Sequence, residues 1–178
     1  MRLALALVLA SSTALGVEPP VTRVEVEVFT VGLAAKGETV SFVHARGALT
    51  GGENPDTRAK TIAAEAAPEL ALIHSTSWRW EEDGRIVLTY LAWTKDGALS
   101  ARAAPIPPLT PPGPTDPLNP RPKEIRELDP LAHGLRHLAF LARQGDGQVA
   151  AALGRRARSV ILKLEPEVAG ELPRTPRR

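Results

Sequence analysis

Residues 53–93 read ENPDTRAKTIAAEAAPELALIHSTSWRWEEDGRIVLTYLAW, and the order of signals in this stretch decides the fold class. Asn54 can cap a helix, Pro55 suits its first position, and Asp56 lies at the positive end of the dipole. The helix should run to about Ala67, with Ala59, Ile62, Ala63 and Ala66 as an apolar stripe small enough to lie close against a sheet. Arg58, Lys60 and Glu65 fall outside that stripe. Pro68 ends the helix, because proline has no amide to give to the carbonyl four residues back. A hairpin pattern follows: Leu70 to Trp80, a Glu81-Glu82-Asp83-Gly84 turn, then a β-branched and aromatic run that stops at Lys95-Asp96-Gly97.

Toward the N-terminus, VTRVEVEVFTV alternates so that Val24, Val26 and Val28 face one way and Glu25 and Glu27 the other, as a strand requires. ETVSFV, residues 38–43, reads as a short third strand, and His44 to Glu53, with Gly47, Gly51 and Gly52, reads as a loop. The first 16 residues have two readings. Leu3, Leu5, Leu7 and Leu9 alternate with smaller residues like a strand; the same apolar run after Arg2, with Ala14 and Gly16 following, also fits a cleaved signal peptide. The first reading makes the protein cytoplasmic and the second exports it. No stretch reaches the length that spans a bilayer.

Toward the C-terminus the composition changes at Ala104, where nine prolines crowd into APIPPLTPPGPTDPLNPRP and read as a stiff connector. An SH3-type groove as its partner gains no support from a bacterial-looking composition. Asp129-Pro130 then starts a helix with Leu131, Leu135, Leu138 and Ala142 on one face. Gly145-Asp146-Gly147 breaks it, and a second helix carries Val149, Leu153, Val160 and Leu164 before Pro166.

At 178 residues, 43% hydrophobic and 24% charged, the chain has the size and usage of a single globular domain. The formal charge is only +2, and the basic excess gathers near the end in Arg155, Arg156, Arg158, Lys163, Arg174, Arg177 and Arg178. The few aromatics are not interleaved with that run, which argues against a nucleic-acid surface. With no cysteine there is no disulfide framework and no thiolate ligand or nucleophile.

The glycine loop, the acidic alanine-rich helix and the following hairpin, together residues 20 to 97, resemble the Nudix hydrolase family. Its motif is a glycine, five residues, a glutamate, seven residues, then Arg-Glu-hydrophobic-any-Glu-Glu-any-Gly-hydrophobic. In that family the helix glutamates hold magnesium or manganese, which neutralises a substrate diphosphate and activates water. Anchored at its start, the motif puts Gly47 and Glu53 in place and Glu65 on the first paired glutamate, with Thr61 and Ile62 where Arg-Glu should stand. Anchored at its end, it puts Glu65 on the glutamate of Arg-Glu, Glu69 on the second paired glutamate and Leu72 on the closing hydrophobic. The second register keeps the family's order of helix, exit and hairpin and is preferred. It departs at Thr50, Asp56, Ala64, Pro68 and Ala71, and Pro68 both deletes a ligand and disturbs the helix, so the motif is degenerate.

The expected fold is α+β, a mixed sheet with the Nudix-like helix that the resemblance implies, plus a C-terminal helical pair read from its apolar spacing. The chain divides into a Nudix-like core at 1–103, the proline-rich linker at 104–128, the helices at 129–165 packing on the core, and a basic tail at 166–178. Its metal candidates are Glu65, Glu69, Asp56 and Glu53; its ligand candidates are Arg79, Trp80 and Trp78, where the two indoles share a strand face that stacks on a base or fills core. The leading expectation is a non-catalytic protein that binds a small phosphorylated ligand or a protein partner, with no cofactor. The alternatives are a magnesium- or manganese-dependent hydrolase of a nucleoside-diphosphate-type compound, and an exported envelope protein. His133 and His137 stand four apart on a helix but lack the glutamate of HExxH and any evident third ligand, and read as a surface or packing pair. His74 adjoins hydroxyls in a strand, where neighbours point to opposite faces and cannot pair as nucleophile and base.

Overall fold

The computed structural model describes residues 23–34, 40–95, 99, 103–104 and 125–169. The first 16 residues, most of the proline-rich connector and the end of the basic tail lie outside these.

Strand β1 (Val24–Leu33) turns back into β2 (Val40–Ala48), helix α1 (Pro55–Ala66) crosses the sheet, and β3 (Leu70–Trp80) and β4 (Ile86–Thr94) form a hairpin. A two-residue β5 (Ala103–Ala104) precedes α2 (Asp129–Gln144) and α3 (Gly147–Ile161). The sheet order is β3-β4-β1-β2-β5. β1 and β4 run parallel at the centre, and the other neighbours pair antiparallel. The class is therefore α+β with a mixed sheet, as the sequence implies. The parallel centre follows from the crossover: β2 and β3 run the same way, and the chain between them must pass over the two central strands.

Helices cover both faces. Val26, Val28, Tyr90 and Ala92 meet Ala59, Ile62 and Ala63 of α1 on one side. On the other, Phe29, Val31, Phe42, Leu91 and Trp93 form one core with Leu131, Leu135 and Leu138 of α2 and Val149, Leu153 and Ile161 of α3. Burial on both faces explains why β1 ends in an almost unbroken apolar run.

Local signals set the helix ends. The Asn54 side chain accepts from the amides of Asp56 and Thr57 at 2.8 and 3.2 Å, and Ala67 is already extended ahead of Pro68. Asp146 caps α3 in the same way, accepting from Gln148 and Val149. Two sequence expectations are corrected. The segment read as a loop from His44 continues β2 to Ala48, because Glu25 to Phe29 of β1 offer it a ladder to complete. The last helix is not continuous: Gly154, at φ 62° and ψ 176°, kinks it. Among the described residues no helix is long and apolar enough to cross a membrane.

Candidate functional site

Three of the four acidic candidates have a local partner. Glu53 accepts from the amide and hydroxyl of Thr50 at 3.2 and 3.0 Å, closing the turn before α1. Asp56, in the first turn of α1, accepts the Tyr90 hydroxyl at 2.7 Å. Burial and this carboxylate together push the Tyr90 phenol up to about 12. Glu65 is exposed on α1. Glu69 lies beyond the end of the helix, 3.8 Å from the Lys95 ammonium, so the helical spacing that would aim it with Glu65 at one cation does not apply. Among the described residues no group of three or more His, Cys, Asp or Glu is placed to hold a metal ion.

Arg79 belongs to a buried network centred on Glu27. The guanidinium reaches the Glu27 carboxylate at 2.6 and 3.1 Å and also bonds Glu81 at 2.8 Å. Glu27 takes further bonds from Arg46 at 2.8 Å, the Thr89 hydroxyl at 2.8 Å and His44 at 3.0 Å, and is itself fully buried. Burial alone would raise its pKa. The bonds from His44 and Arg79, with the charges of Arg79 and Arg46, overcome that and hold the carboxyl far below the usual range. Four adjacent strands are tied through one carboxylate, and the His44 ring stacks on Phe29 with centroids 4.4 Å apart. A signal existed in the sequence: Glu27 shares strand parity with Phe29 and Val31, so it had to face the same core.

Trp78 and Trp80 are 62% and 44% exposed, on the outer strand β3. They do not fill core, and they lie on the strand face opposite Arg79.

A second polar cluster joins β3, α2 and the segment after α3. His74 Nε2 is 3.2 Å from His137 Nε2, and His137 Nδ1 is 3.1 Å from the backbone carbonyl of Glu167. His133 sets Nδ1 3.2 Å from the Glu167 carboxylate and Nε2 3.3 Å from the Thr76 carbonyl. The helical spacing of the two histidines is thus a packing device that holds residue 167 against α2. Burial pushes both His74 and His137 down.

A concave surface lies elsewhere. A cavity of about 1110 Å³ opens between α3 and the sheet, where β1 and β4 end and β3 begins. Leu33, Leu72, Trp93 and Leu153 give it an apolar lining, and Lys95, Arg155 and Arg156 add cationic groups with no acidic residue among them. Gly154, whose φ of 62° interrupts the helical path of α3, is itself among the residues that line the cavity. None of the seven residues proposed from sequence lines it.

No family model matches the chain, and no curated protein matches it. Among solved structures, a MutT/nudix family protein from Enterococcus faecalis is similar at 12% identity and a TM-score of 0.34. The overlap covers 45% of this chain and 39% of that one, and assigns no role to any residue here.

Proposed function

We propose that this chain is a non-catalytic binding protein whose ligand is a small amphipathic anion, an apolar body carrying a phosphate or similar group. The observation that carries this reading is the cavity at the α3 kink. Its lining is apolar around Trp93 and Leu153, and its ionisable groups are Lys95, Arg155 and Arg156, all of one sign. Largely apolar pockets with a few convergent polar groups are the usual form of small-molecule sites. A cluster of cationic side chains beside an apolar lining favours a ligand that brings negative charge. The absence of catalysis in this reading rests on the acidic candidates, since Glu53, Asp56 and Glu69 are each engaged by a different neighbour.

A direct test compares octyl phosphate with octanol in thermal unfolding. A ligand that binds only the native state raises the melting temperature by mass action. Octyl phosphate should raise it in wild type, octanol should do so far less, and Lys95→Glu/Arg155→Glu should abolish the difference. Equal shifts from the two compounds, or a shift that survives the charge reversal, would overturn the reading.

A further inference from the structure

The His74–His137 pair has the geometry of half a metal site. His137 Nδ1 faces the Glu167 carbonyl at 3.1 Å, and a carbonyl only accepts, so this nitrogen carries the proton. In the neutral ring Nε2 is then a bare lone pair, and it is aimed at His74 Nε2, 3.2 Å away. The His74 Nε2 proton must bridge the two. Imidazole nitrogens on a tetrahedral zinc ion, each about 2.0–2.1 Å from the metal, lie ~3.3 Å apart. The two Nε2 atoms already stand near that separation, with the ring planes 18° from parallel.

One supporting contact is already in place behind His137. A metal-bound imidazole almost always gives its other N–H to a carbonyl or carboxylate, as His137 does to Glu167. Nearby, the Glu167 carboxylate is 9% exposed and stands 3.2 Å from His133, and the charge of Asp146 acts on His74. The neighbourhood of the pair is thus acidic without supplying a further ligand among the described residues. Phe140 stacks on the His137 ring and shields it from one side.

We propose that His74 and His137 form a two-imidazole site for a divalent transition ion such as zinc, bound by both Nε2 atoms once the His74 Nε2 proton has moved to the Nδ1 of its own ring. No third His, Cys, Asp or Glu converges on that point among the described residues, so water or a small anion completes the shell. The imidazole pair selects borderline ions over magnesium or calcium, which prefer oxygen.

The test is a calorimetric zinc titration of the full chain in two buffers of different protonation enthalpy. Wild type should bind one equivalent with no net proton release at a pH where the free histidines are neutral, because the His74 Nε2 proton passes to the Nδ1 of the same ring. It should release protons at lower pH, where the histidines are protonated. His74→Gln should weaken binding at least about tenfold, and His44→Gln should leave it unchanged. Because His137 is buried, substitution there risks unfolding, so the histidine ring resonances of wild type are followed during the same titration. Zinc should move those of His74 and His137. No saturable binding, binding unaffected by His74→Gln, or movement confined to His44 and His133 would overturn the proposal.

Discussion

At the scale of single residues, Glu27 carries the largest electrostatic consequence. It is fully buried and pairs with Arg79, whose side chain is only 11% exposed. Removing one partner of a buried pair leaves the other charge uncompensated and typically costs 3–5 kcal/mol. Glu27→Ala is expected to lower the stability measured in urea by about 3–5 kcal/mol. Arg46, 37% exposed, is screened by solvent, and Arg46→Ala should cost about 1 kcal/mol or less. Equal losses from the two substitutions would contradict the network as described.

The pH dependence of stability follows from groups of both kinds. Glu27 is depressed in the folded state, so its contribution is complete above the unfolded value of 4.5 and is lost as pH falls below it. His74 and His137 are also depressed, from 6.5. The unfolded chain therefore binds more protons there, and stability falls as pH drops below about 6.5. Two successive acid losses are expected in denaturation curves taken from pH 8 to pH 3. Glu27→Ala should erase the lower one alone.

At the scale of elements, the parts legible in the sequence are those governed by neighbours in the chain. Asn54, Pro55 and Pro68 bracket α1, the EEDG turn sets the β3–β4 hairpin, and the leucine spacing marks α2. β2 was harder to read because Gly47 suggests a loop, whereas pairing with Glu25 to Phe29 keeps the strand extended. The tryptophans look like core from their strand alternation. Only the sheet order, which makes β3 an edge strand, exposes them. Gly154 lies inside the last helix, yet its φ 62°, ψ 176° conformation is one that side chains with a Cβ avoid. Gly154→Ala is expected to cost about 1–3 kcal/mol, read by chemical denaturation. A neutral or stabilising result would mean that the kink is not set by this residue.

At the scale of the molecule, the order β3-β4-β1-β2-β5 and the parallel centre depend on contacts far apart in sequence, and no local pattern encodes them. The same holds for the cavity, which needs the ends of β1 and β4, the start of β3 and the bend of α3 at once. The Nudix resemblance directed attention to Glu53, Asp56, Glu65 and Glu69, on or beside α1. The concave surface formed instead on the opposite face of the sheet, where Leu153 of α3 packs with Trp93. Helices pack on both faces of the sheet, and Lys95, Arg155 and Arg156 beside the cavity are exposed.

The binding role of this cavity is tested most directly by calorimetric titration of octyl phosphate into wild type and into Ala151→Trp. Ala151 is exposed and lines the cavity, so an indole there occupies the space without disturbing the core. Saturable binding of one equivalent to wild type, lost in Ala151→Trp while its unfolding curve stays unchanged, is the expected result. Binding that persists at full affinity in the filled variant would place the ligand elsewhere and contradict the assignment.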